Sequence, residues 1–185
     1  IAWLSAGNAV RAALKLVVLA ILARLLSPEA FGLVGAATVV VWFSTIFATL
    51  GAGPALIQLR TLGPTHVSTA FIVCVALGAV AGAAAFSGAP LVAALFRMPG
   101  LAVVMQAMAV VFPIAGLAMV AECMVQRELR FGFIARVELA SYAGGYGIVG
   151  IGLAVAGAGV WALVGAEIAK TSIKTWLFLR AAPPA

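Results

Sequence analysis

Apolar runs of about twenty residues recur along this chain, and that repeat leaves few folds open. Six runs span residues 2–26, 30–57, 67–86, 101–125, 133–156 and 160–179. Each is near the ~20 residues with which a helix crosses a ~30 Å hydrocarbon layer. The runs are continuous rather than alternating with period two, which argues against a closed barrel and leaves helices to satisfy the backbone in lipid. Of the 185 residues, 65% are hydrophobic and 9% charged, with a mean hydropathy of +1.24. A soluble domain carries roughly 45–50% and about 25% respectively. The expected fold is therefore an all-α integral membrane protein, with six transmembrane helices and short loops forming a single lobe over residues 1–185. Because Ile1 is not a start methionine and no cleavable signal pattern follows it, the chain reads as an internal fragment of a longer protein.

Charge sets the orientation. The stretch "QRELRFGFIARVE", residues 126–138, carries five charges between two apolar runs. If every run reverses direction, one side of the membrane receives Arg60, Arg127, Arg130, Arg136, Lys174 and Arg180, and the other only Arg24 and Arg97. Cytoplasmic loops carry the Lys/Arg excess, so the first side is expected to be cytoplasmic and the charged stretch to act as a topology anchor. The net charge of +6 reports orientation and anionic lipid headgroups here, and nucleic acid is not an expected partner.

Two kinds of punctuation interrupt the runs. In "RLLSPEAFG", Ser27 suits an N-cap, Pro28 the first helical position and Glu29 the positive end of the helix dipole. In "LGAGPAL", Gly51, Gly53 and Pro54 predict a kink or unwound turn in the second run, and Pro113 predicts another in the fourth. Such breaks persist at membrane depth where protein or a watery cavity satisfies the freed groups, so all four residues are candidate hinges.

Little here resembles an enzyme. "GYGIVG", residues 145–150, matches the letters of a dinucleotide fingerprint but lacks the preceding strand that such a site requires. Small residues there, like Gly78 and Gly82 in the third run, instead suit close helix packing. His66 stands alone, aspartate is absent, and no set of nucleophile, base and orienting group can be assembled. Cys74 and Cys123 lie within apolar runs and read as small hydrophobes. No catalytic residue, metal or cofactor is expected.

The informative residues are charges inside the apolar runs, where a Lys or Arg near the bilayer centre costs about 2.5–3.5 kcal/mol on insertion scales. Asn8, Arg11 and Lys15 share one helix face at spacings of three and seven, and Glu167, Lys170 and Lys174 repeat that spacing in the last run. At 1.5 Å per residue, Lys15 lies ~14 Å below Arg24, and Lys170 ~14 Å below Trp161. Arg11 and Lys174 each lie ~20 Å deep by the same count. Two readings stand side by side: snorkelling or internally paired charges, with Glu167 neutralising Lys170, or a hydrated cavity that receives an anion.

The segments "LARLLSPEAFGLVG", "LGAGPALIQ", "APLVAALF", "VQRELRFGFIARVEL" and "GAGVWALVG" occur in this order over nearly the whole chain. Together they resemble the polysaccharide transporter, or O-antigen flippase-like, family of the multidrug/oligosaccharidyl-lipid/polysaccharide exporter superfamily. The resemblance implies two six-helix lobes related by an internal repeat, of which this chain would be the N-terminal one and a C-terminal lobe the missing partner. It also implies export of an undecaprenyl diphosphate-linked glycan across the bacterial cytoplasmic membrane by alternating access. A cationic cavity would suit the diphosphate while the prenyl tail stays among membrane lipids. The alternatives are a cation-coupled multidrug exporter of the same superfamily and a non-transporting membrane partner of glycan assembly.

Overall fold

The computed structural model describes the backbone of residues 2–49 and 64–181, and the side chains of residues 12–39 and 67–181. The chain runs through α1 (Ala2–Leu25), α2 (Pro28–Thr49), α3 (Pro64–Phe96), α4 (Pro99–Met108), α5 (Val111–Arg127) and α6 (Phe131–Tyr142). A π-helical stretch (Ala143–Gly150), α7 (Ile151–Val155) and α8 (Val160–Ala181) complete it. Among the described residues there is no strand, and the protein is all-α. Among the described residues, two stretches, Val67–Phe96 and Pro99–Arg127, are long and apolar enough to cross a membrane.

The punctuation works largely as its chemistry dictates. Pro28 opens α2, and the Ala30 backbone N–H donates to Ser27 Oγ at 3.3 Å, so Ser27 caps this helix and Glu29 sits in its first turn. The other turns share a left-handed cap. Arg97 (φ 54°), Leu129 (φ 55°) and Gly157 (φ 79°) each take the positive-φ conformation just past a helix end. After each, the next backbone N–H reaches five residues back: Met98 to the Ala93 carbonyl, Arg130 to Val125 and Ala158 to Leu153. These bonds satisfy carbonyls that the helix ends would otherwise leave without partners.

Two boundaries differ from the apolar runs. The third run stops at Phe86, yet α3 continues to Phe96 straight through Pro90. Ala89 and Ala93, on either side of the proline, are buried in the main hydrophobic core, so tertiary packing holds the helix together where local propensity would end it. The fourth run is divided. Pro113 has no N–H to offer the Ala109 carbonyl, which accepts a 3.3 Å bond from Phe112 instead, while the Ala109 N–H still donates to the Met105 carbonyl at 2.9 Å. Ala109 and Val110 keep right-handed helical dihedrals, so α4 and α5 form one interrupted helix rather than two. The break expected at Gly51, Gly53 and Pro54 lies outside the described residues.

Packing is layered along the helices. Val18 and Leu22 of α1, Leu26 just past its end, Ala30 and Val34 of α2, Leu101 and Met105 of α4 and Leu163 of α8 share the largest core, around the turns at 26–28, 97–98 and 156–159. Phe178, Val125, Ala121 and Val137 form a smaller core where α8, α5 and α6 meet near the other end. Between them, α3 and α5 come into backbone contact through small residues. A Cβ on Gly78 would lie 2.8 Å from the Phe112 carbonyl oxygen, and one on Gly116 2.8 Å from that of Cys74. A Cβ on Gly82 would lie 3.0 Å from the Ala109 oxygen, beside the interruption before Pro113. Alanine at Gly78 or Gly116 should therefore push α3 from α5 and lower stability by about 1–3 kcal/mol, read as reduced thermal stability in detergent. Gly88→Ala, with nothing within 4 Å of the added carbon, should be neutral or slightly stabilising.

Candidate functional site

The site grows from one face of α8. Glu167 and Lys170 are three residues apart, and the Lys170 ammonium donates to Glu167 Oε1 at 2.7 Å and Oε2 at 2.9 Å. The Tyr146 hydroxyl donates to the same Oε2 at 2.8 Å. The Glu167 carboxylate thus accepts three hydrogen bonds, two of them from a charged donor, and only 15% of its side chain is exposed. The ion pair supplies the internal neutralisation that the spacing allows, but its carboxylate has a further partner on another element.

That partner depends on glycine and on the π-helical stretch. A Cβ on Gly145 would lie 2.5 Å from Lys170 Cβ, 2.6 Å from its backbone nitrogen and 2.7 Å from the Ala166 oxygen. Only glycine lets this backbone lie directly on α8 at the level of Glu167 and Lys170. A Cβ on Gly150 would lie 3.0 Å from that of Ala166, so "GYGIVG" is a packing surface within a helix. A π turn takes in one residue more than an α turn, which changes the direction of every side chain beyond it. Tyr146, inside this stretch, therefore points where an uninterrupted α-helix would not have aimed it.

Tyr146 also extends the site towards α1. Its ring stacks on that of Tyr142 with centroids 5.0 Å apart and planes at 17°. The Lys170 ammonium lies 5.8 Å from the Tyr146 ring centroid, and the Lys15 ammonium 5.7 Å from that of Tyr142. The two lysines paired by depth in the sequence thus bracket a tyrosine stack. They are not equivalent. Lys170 is bound to a carboxylate, whereas no carboxylate among the described residues pairs with the exposed Lys15. A ring face attracts a cation by about 0.5–2 kcal/mol without neutralising it, so Lys15 retains a charge that an anion can meet.

Lys174 belongs to a separate contact. Its ammonium sits 3.0 Å from Glu122 Oε2 and 3.1 Å from Oε1, joining α8 to α5, and lies 5.6 Å from the Phe178 centroid. Next to it, the buried Thr175 hydroxyl donates to the Ile114 carbonyl at 3.0 Å, one residue past Pro113. Asn8 and Arg11 fall in α1, but their side chains are outside the described residues. Cys74 and Cys123 are buried in the contact between α3 and α5.

Sequence reasoning missed Tyr142, Tyr146 and the pairing of Glu122 with Lys174. The tyrosines were findable: they are the chain's only two, four residues apart, and so share a face in a helical run. Glu122 and Lys174 are 52 residues apart, and no local spacing relates them. A double-mutant cycle with Glu122→Gln and Lys174→Met should give a coupling of about 1–3 kcal/mol in unfolding measurements, with the double variant more stable than either single one.

A family model described as polysaccharide biosynthesis protein matches residues 21–183. The lipopolysaccharide biosynthesis protein WzxC of Escherichia coli strain K12 is 23% identical over 144 residues, 78% of this chain but 29% of the relative. The match therefore spans less than a third of that protein's length. No solved structure matches the chain significantly.

Proposed function

The chain belongs to the polysaccharide biosynthesis protein family, whose model covers residues 21–183, and on that premise we propose that it is one lobe of an exporter of lipid-linked glycans. In this reading six helices cross the bacterial cytoplasmic membrane, and a C-terminal lobe completes the transporter. The cargo is a glycan carried on undecaprenyl diphosphate, turned from the cytoplasmic to the periplasmic leaflet by alternating access. No chemistry is performed on it, and the working residues bind and release.

The observation that carries this reading is Lys15: a cation within an apolar run, held over the Tyr142 ring with no described carboxylate to neutralise it. A lysine that served only packing would be expected beside a counter-ion, as Lys170 and Lys174 are. An anionic diphosphate supplies the missing charge when it arrives, and water solvates the ammonium when it leaves. Arg11 and Asn8, one and two turns before Lys15 on the same face of α1, extend the anion path towards the cytoplasmic side. Glu167, Lys170 and Lys174 form the facing wall, and the interruption before Pro113, with Gly51, Gly53 and Pro54 in the second run, provides places for helices to bend.

Lys15→Ala in the full-length transporter should insert and fold normally, yet reduce transport at least about tenfold and leave lipid-linked glycan on the cytoplasmic leaflet. Lys15→Arg, which keeps the charge in a different shape, should retain part of the activity. Wild-type flipping by Lys15→Ala would remove the anion site from the mechanism.

Orientation is tested independently. With Cys74 and Cys123 replaced, a single cysteine at Gly100 should react with an impermeant thiol reagent in intact cells, and one at Gly132 should not. Both positions are exposed, so burial alone would not protect either, and labelling at Gly132 alone would reverse the topology.

A further inference from the structure

A transporter must let go of what it binds, and the lobe contains an anion of its own within reach of a site cation. Glu167 engages Lys170 through both carboxylate oxygens at 2.7 and 2.9 Å, the bidentate geometry that a phosphate oxygen pair would also offer. We infer that Glu167, positioned by Tyr146, is an internal substitute for the anionic headgroup: it competes with the ligand for Lys170 and so sets how tightly the site holds a diphosphate. The inference rests on the anion-binding reading above and assigns to Glu167 and Tyr146 a role in affinity and release.

Three features support competition over a purely structural ion pair. First, the pair is not sealed: 31% of the Lys170 side chain is exposed, so its ammonium can be approached while it is still bound to Glu167. Second, Glu167 has another partner. The Tyr146 hydroxyl at 2.8 Å holds the carboxylate where Lys170 reaches it, so the competing anion is already ordered when a ligand arrives. Third, the same two rings connect this pair to Lys15. Tyr146 stacks on Tyr142, over which Lys15 lies, so a headgroup reaching Lys15 has entered the end of a stack whose other end holds Lys170. The ligand thus enters beside a lysine that is free of a described carboxylate and reaches one that is occupied only by displacing Glu167. The Glu122–Lys174 pair is a less suitable competitor, because it joins α5 to α8 and has no comparable tyrosine ladder towards α1.

The geometry makes Tyr146 a positioning residue. Its hydroxyl fixes one oxygen of Glu167, and the absence of a Cβ on Gly145 lets the π-helical backbone lie close enough to α8 for that bond to form. Removing the hydroxyl should loosen Glu167 without removing its charge. Removing the charge should free Lys170 altogether. Both changes are expected to tighten headgroup binding, whereas damage to an ordinary structural pair would weaken it.

The test measures binding of a fluorescent prenyl diphosphate to the full-length protein in lipid nanodiscs, with the corresponding uncharged prenol as the control for tail binding. Glu167→Gln should bind the diphosphate about tenfold more tightly, and Tyr146→Phe about two- to threefold, with prenol binding unchanged. Combining Glu167→Gln with Lys170→Met should abolish the gain, because the released cation is then absent. In flipping assays Glu167→Gln should lower KM and also lower kcat, as release becomes slow. Unchanged or weaker diphosphate binding by both Glu167→Gln and Tyr146→Phe overturns the inference, as does a gain that persists without Lys170. Tyr146→Phe keeps the ion pair intact, so it decides the matter if Glu167→Gln does not fold. If the unmodified protein and Lys15→Ala bind diphosphate no better than prenol, the anion-binding function itself fails, and the inference fails with it.

Discussion

The three hydrogen bonds received by Glu167 tie together more of the chain than any other polar contact described. A carboxylate among apolar helices is tolerable only with its charge answered, and here the answer comes from its own helix through Lys170 and from the neighbouring strand of chain through Tyr146. The second bond carries the larger structural demand. It needs the π-helical stretch to aim Tyr146, and Gly145 to let that stretch lie against the α8 backbone. Once Tyr146 is fixed, Tyr142 stacks on it and presents a ring to Lys15 of α1. A polar requirement on α8 is thus met by the shape of the fifth apolar run and ends by orienting a cation on the first helix.

What the sequence made legible follows the range of each interaction. The helical runs are set by a single-residue property, hydrophobicity, summed over about twenty positions, and α1, α2 and α8 begin within two residues of the runs that contain them. Capping by Ser27 and pairing of Lys170 with Glu167 act over three residues, within the reach of a spacing argument. Pro113 was readable because the loss of an N–H has the same consequence in any helix. Pro90 obeys the same rule locally, yet Ala89 and Ala93 are packed into the main core and α3 runs on past Phe86.

The rest was hidden because it is tertiary. Glu122 meets Lys174 only after α5 and α8 have packed, and the Thr175 bond to the Ile114 carbonyl spans 61 residues. The tyrosine stack was half legible: the spacing gives a shared face, but nothing local tells which helix that face meets. The π-helical turn is the least visible feature. Its residues, "AGGYGIVG", advertise small side chains and therefore close packing, but the sequence pattern gives no sign that the backbone widens there to bring Gly145 and Gly150 onto one neighbour.

The division of cations among the helices also bears on how rigid their packing can be. Lys174 with Glu122, and Thr175 with Ile114, brace α8 against α5 by polar contacts that need water or a new partner if they are to break at membrane depth. Glu167 and Lys170 lie on one helix and can exchange partners without separating two helices. The first pair therefore suits parts that move together, and the second suits a site whose occupancy changes. The interruption before Pro113 falls on the braced helix, where the Ala109 carbonyl faces Gly82 and the Thr175 hydroxyl binds the Ile114 carbonyl. Backbone groups around the break are met from two sides, by close approach from α3 and by a side chain from α8. Bending there requires both neighbours to follow, so α3, α5 and α8 are built to move together.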